Sequence, residues 1–133
     1  MQIFVSHLIG RGVRIIAGSD APFVHVLPGF GLHEELQLLL DCGMTPSEAI
    51  QSATCLAAQA LQIEQHVGSI AAGKYADMII VDGDPTQDIR ALQGIWRVVR
   101  GGCVLETAPL LSQADAYAQT AQPNVVKRFS ELY

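Results

Sequence analysis

The sequence predicts an α/β fold on three observations. A short β-branched run, Val13-Arg14-Ile15-Ile16-Ala17, follows an apolar helical segment across a glycine break. Two later segments have helical spacing, the second opened by Thr45-Pro46-Ser47-Glu48, and after Gln65 the pattern changes to strands. A helix feeding a buried strand through a few loop residues is the repeating step of α/β proteins. With 133 residues, 50% of them hydrophobic and 16% charged, the chain has enough apolar material for a core.

Taken in order, Ile3 to Ile9 are apolar around Ser6 and His7, and Gly10-Arg11-Gly12 stops them, as a helix ending on glycine would. A helix opening at the first residue is expected to have lost its beginning. Val13 to Ala17 reads as the strand. Gly18 to Gly31, with Pro22, Pro28 and Gly29 among apolar residues, reads as a loop packed against something. From Leu32 to Cys42 a helix places Leu36, Leu39 and Leu40 on one stripe. Its early Glu34 and Glu35 suit the positive end of the helix dipole, and Gly43 ends it.

Thr45-Pro46-Ser47-Glu48 is the clearest local signal: threonine caps, proline takes the first helical position, and glutamate reaches back from the third. The helix it opens is expected to run to Leu61, with Ala49, Ile50, Ala53, Leu56, Ala57 and Ala60 on its apolar side. Strands are then expected at Gly68-Ser69-Ile70 and, after a turn at Gly73, at Ala76 to Val81, closed by Asp82-Gly83-Asp84-Pro85. Thr86 to Leu92 suits a short helical turn with Asp88 near its start. Ile95 to Arg100 and Cys103 to Glu106 flank Gly101-Gly102 as a two-residue hairpin. An alanine and glutamine rich run from Ser112 to Gln122 predicts a helix stopped by Pro123, followed by a tail or docked arm.

Composition excludes some partners. Eight basic residues are scattered among thirteen acidic ones for a net charge of −5, which argues against nucleic acid. No apolar run approaches the roughly 18 residues that span a bilayer, so no membrane partner is expected. Residues 1–7 have neither a basic lead nor a cleavage site, and a cytoplasmic protein is expected. Cys42, Cys55 and Cys103 lie far apart among apolar neighbours, as buried reduced thiols would, and offer no close pair for a metal.

The candidate for chemistry is Asp20, just past the end of the Val13 to Ala17 run, where α/β enzymes place reactive groups. Its plainer reading is a turn aspartate bonding its own backbone after Gly18-Ser19. His25 and His33 sit in, or just after, the following loop, while His7 and His66 read as surface or helix-end residues. Lys74 and Asp77 read as turn and strand-entry residues. Asp82, Asp84 and Asp88 alternate as in a calcium loop, but Pro85 and the missing closing glutamate point to a turn. Ser19, Ser47 and Ser52 have no histidine and aspartate arrangement around them that would make a nucleophile.

Read together, Gly12 to Ala21, Leu32-His33-Glu34-Glu35-Leu36, Gly43 to Ile50 and Gly68-Ser69-Ile70 through Pro85 resemble the carboxy-terminal end of the metal-dependent amidohydrolase superfamily, in its prolidase and imidazolonepropionase-like branch. The resemblance implies an α/β chain holding the last strand and helices of a (β/α)8 barrel in residues 1–66. A small β-sandwich portion would follow in residues 67–107, and a C-terminal helix and tail in residues 108–133. It further implies that Asp20 is the aspartate at the tip of the last barrel strand, beside one or two divalent metals, usually zinc. There it would take a proton from the water that attacks an amide carbon.

The chain departs from the family pattern in having no His-x-His pair, and His7, His25, His33 and His66 do not fall on the corresponding strands. A lone carboxylate does not hold zinc, which wants at least three protein ligands. The expectations are therefore a part of a hydrolase acting on a carbon–nitrogen bond of a small amide or dipeptide substrate, with Asp20 as catalytic base and metal ligand and with His25 and His33 touching substrate. The chain alone is expected to bind no metal and to be inactive, completed by a missing N-terminal barrel portion or by homo-oligomers. The alternative is a non-catalytic association module, or a truncated fragment, that oligomerises through its exposed apolar face.

Overall fold

In the computed structural model, the described residues are 2–21, 29–110 and 112. They form four helices, α1 (Gln2–Gly10), α2 (Phe30–Asp41), α3 (Pro46–Ala53) and α4 (Cys55–Ala60), followed by three strands, β1 (Met78–Val81), β2 (Ile95–Arg100) and β3 (Cys103–Glu106). A 3-10 turn, Ile89–Gln93, lies between β1 and β2. No helix among the described residues is long and apolar enough to cross a membrane.

The Thr45 signal folds as its chemistry dictates. The Glu48 amide donates to Thr45 Oγ1 at 3.3 Å, and the Thr45 amide donates to Glu48 Oε2 at 2.8 Å, with Pro46 opening α3. The expected continuous helix to Leu61 is broken at Thr54, whose φ of −126° and ψ of −96° are not helical. Local hydrogen bonds account for the break. The Thr54 amide turns back to the Gln51 carbonyl at 3.2 Å and its hydroxyl donates to the Ile50 carbonyl at 2.7 Å, in competition with the regular ladder.

Helix α2 begins at Phe30, two residues before the expected Leu32, so Glu34 and Glu35 stand in its second turn and not at the positive end of its dipole. Leu36 and Leu39 of the predicted stripe are buried. The core cluster joins Leu36 of α2, Ala49 of α3 and Ile89 of the 3-10 turn, with Ala17, Leu40, Ile50, Ala53 and Leu92 packed around it. The expected strand at Val13 to Ala17 belongs to no sheet among the described residues. A strand exists only by exchanging amides and carbonyls with a neighbour, and here the Ala17 amide donates instead to the Ser52 carbonyl of α3 at 3.2 Å.

The three strands form one antiparallel sheet in the order β1-β2-β3, with Ile79 opposite Val98 and Val98 opposite Leu105. Gly101 and Gly102, at φ of 56° and 80°, make the predicted two-residue turn, which needs both residues left-handed. Asp77 pins that turn by accepting the Gly101 amide at 2.6 Å. Gly68-Ser69-Ile70 is a turn and not the expected strand. Gly68 has a φ of 85°, and a Cβ there would stand 2.6 Å from the Ala58 Cβ, so the chain bends tightly over the α3–α4 junction. Lys74 closes this bend by donating to the Glu64 carbonyl and, at 2.7 Å, to Ser69 Oγ.

All three cysteines are free. Cys42 is buried as expected, Cys55 is half-buried, and Cys103 is exposed because β3 ends the sheet with all four residues in solvent. The predicted helix from Ser112 to Gln122 lies, beyond Ser112, outside the described residues. The described backbone is already helical over residues 107–110.

Candidate functional site

Asp20 is exposed and adopts a φ of 51°. For an aspartate this left-handed geometry is accessible but uncommon, and it turns the chain sharply. Two consecutive amides just upstream fix the segment. Ala17 hangs from Ser52, whose carbonyl lies in the last turn of α3, where helix carbonyls lack intrahelical partners. Gly18 donates its amide to Glu35 Oε1 of α2 at 3.4 Å. The carboxylate of Asp20 is thus presented two residues beyond a double anchorage.

His33 lies in α2, half-buried, and burial pushes its imidazole below the ordinary histidine value. It lines an open groove of about 450 Å³ between α2 and the 3-10 turn, with Phe30, Gln37, Ile89 and Arg90 among the other walls. Arg90 is paired with Asp88 at 2.8 Å, and this pairing holds the Asp88 carboxyl below its usual range. Asp20 is not a wall of this groove, so the structure does not bring Asp20 and His33 together there. His25 lies outside the described residues. His7 and His66 are exposed.

The acidic stretch after β1 works as caps and turns: Asp84 Oδ1 accepts the Thr86 amide at 2.9 Å, and Asp88 accepts the Arg90 amide at 3.0 Å. Among the described residues no three histidine, cysteine or acidic side chains converge to hold a metal. Asp20 offers one donor group, so the described donor set does not by itself fit a catalytic metal. What sequence reasoning missed is the contact of Glu35, which reads as a dipole partner until the 17-residue separation from Gly18 is closed in space. No local pattern signals that contact.

The family model described as "Amidohydrolase family" matches residues 4–119. The chain is similar to an imidazolonepropionase of Acinetobacter baumannii, 37% identical over 90 residues that are 64% of this chain and 21% of that protein. It is also similar to an adenine deaminase of Paracoccus denitrificans, 40% identical over 88 residues, 65% of this chain and 14% of that protein. Among solved structures it resembles a Xaa-Pro dipeptidase with methionine bound in its active site. There the TM-score is 0.72 and the identity 35%, covering 80% of this chain and 25% of that one. A molinate hydrolase matches with a TM-score of 0.71 and 26% identity, covering 76% of this chain and 25% of that one. The chain thus spans 21% or less of these curated relatives and a quarter of these structures.

Proposed function

Because this chain belongs to the amidohydrolase family, we propose that it carries the Asp20 side of the active site of an enzyme that hydrolyses a carbon–nitrogen bond in a small amide or dipeptide-type substrate. The observation that supports this most is the placement of Asp20 inside the matched region, exposed, in a left-handed turn anchored through Ala17 and Gly18. Its carboxylate accepts the proton of the attacking water and returns it to the departing nitrogen, which must be protonated to leave. His25 and His33 are the candidates for substrate contact; the depressed basicity of His33 keeps it neutral near pH 7, able to donate or accept.

Zinc or another divalent metal is the cofactor assigned to the complete enzyme. The described residues supply Asp20 alone toward it, so the other ligands come from other parts of the protein. The same reading divides the chain into a barrel portion, residues 1–66, a sandwich portion, residues 67–107, and a C-terminal segment, residues 108–133. Barrel portions outside residues 1–133 complete the site, and residues 1–133 alone are inactive; the chain's 21% share of the imidazolonepropionase supports this. The three free cysteines suit a cytoplasmic setting.

The experiment is amine release from Xaa-Pro dipeptides and small cyclic amides by the full-length protein, before and after chelation and zinc return. Release that disappears with chelation and returns with metal supports the reading. No release from any of these substrates by metal-loaded protein contradicts it.

A second reading is association through apolar surface. It is favoured by α1, which buries none of its residues and leaves Ile3 76% and Phe4 66% exposed. Sedimentation of residues 1–133 as a dimer or larger supports it, and a monomer at micromolar concentration contradicts it.

A further inference from the structure

We infer that Glu35 is a positioning residue for Asp20, holding the turn that presents it through the Gly18 amide. This inference rests on the functional reading of Asp20. Glu35 neighbours Leu36, a core residue only 3% exposed, so its place on α2 is fixed by packing. From there Oε1 accepts the Gly18 amide at 3.4 Å, two residues before Asp20. Gly18 is exposed, and without Glu35 its amide would bond to water and leave the turn free on that side.

The neighbouring amide gives an internal control. Ala17 is tied to α3 through Ser52, and Gly18 to α2 through Glu35, so the backbone entering the turn is held from two helices that share the Leu36–Ala49 core. Removing Glu35 releases one tie and leaves the other. Asp20 then keeps its identity and loses its aim, and a displacement of about 1 Å at a reacting group can cost on the order of a hundredfold in rate.

The test uses the full-length protein with Glu35→Leu and Glu35→Gln, read by residue-resolved amide hydrogen exchange and by steady-state kinetics. In Glu35→Leu the Gly18 amide is expected to exchange about tenfold faster or more, with Ala17 unchanged. The value of kcat falls about tenfold to a hundredfold with KM within about twofold. Glu35→Gln, which retains an acceptor oxygen, recovers part of both. Unchanged Gly18 exchange overturns the inference. So does equal acceleration at Ala17 and Gly18, because that is general loosening. Asp20→Asn, measured in parallel, separates the two claims. If it abolishes turnover while Glu35→Leu retains full kcat, the tether fails alone. If it leaves turnover intact, the functional reading fails and the positioning role falls with it, whatever the exchange at Gly18.

Discussion

The amide of Ala17 donates to the Ser52 carbonyl across 3.2 Å, so the segment that presents Asp20 hangs from the last turn of α3. Ser52 has no exposed surface, and its own hydroxyl donates to the Ala49 carbonyl at 2.6 Å. Ser52→Leu therefore forces a larger side chain into filled space, at a cost of about 1–3 kcal/mol. Thermal denaturation should show the loss, and amide exchange at Ala17 should quicken with it. An unchanged Ala17 would mean that the segment does not depend on α3.

Two leucines of α2, two positions apart, should behave differently. Leu36 is 3% exposed within the core cluster and Leu38 is 45% exposed. Leu36→Ala is expected to cost about 2–5 kcal/mol, whereas Leu38→Ala stays within about 0.5 kcal/mol. Denaturant unfolding of both variants checks the contrast.

Gly68→Ala meets both a positive φ of 85° and a Cβ 2.6 Å from that of Ala58. The strained backbone and the clash together predict a loss of about 2 kcal/mol or more. A melting temperature equal to that of the parent protein would contradict the close packing of this bend on α4.

The pH dependence has two contributions of known sign. Hydrogen bonds from the Thr45 amide and then its hydroxyl hold the Glu48 carboxyl below its ordinary 4.5. The folded value is the lower one, so this contribution is present above 4.5 and is lost as pH falls through the folded value. His33 is depressed from 6.5 by burial, so the unfolded chain binds its proton first and stability declines as pH drops below 6.5 toward the folded value. His33→Gln should flatten the second decline. Thr45→Ala should raise the Glu48 midpoint part of the way to 4.5, since the backbone donor remains, and should cost about 1 kcal/mol from the lost cap. Proton titration by NMR, beside unfolding at several pH values, checks both.

What was legible in the sequence was local. The capping box at Thr45 and Glu48, the glycine hairpin turn and the buried stripe of α2 each depend on residues a few positions apart, and each forms. What was not legible depends on partners distant in sequence. Val13 to Ala17 has strand composition but meets a helix carbonyl. The helix break at Thr54 is the local exception, because its amide bonds Gln51 and its hydroxyl bonds Ile50 in competition with the ladder, and helical spacing carries no trace of that. Gly68 looks like a strand entry until the Ala58 Cβ is found beneath it. The role proposed for Asp20 rests on its family pattern and its place after an apolar run. The Glu35 contact with Gly18 was not legible, because only the packing of α2 brings the two together.

The most direct test of the central claim is the turnover of the full-length protein carrying Asp20→Asn on the Xaa-Pro dipeptides and small cyclic amides of the proposed reaction. Asparagine keeps the size and nearly the shape of the side chain but cannot take the proton of the attacking water. The account predicts a loss of kcat of about a hundredfold or more, with folding and melting temperature unchanged because Asp20 is exposed. Undiminished kcat in a folded Asp20→Asn protein would contradict it and remove Asp20 from the chemistry.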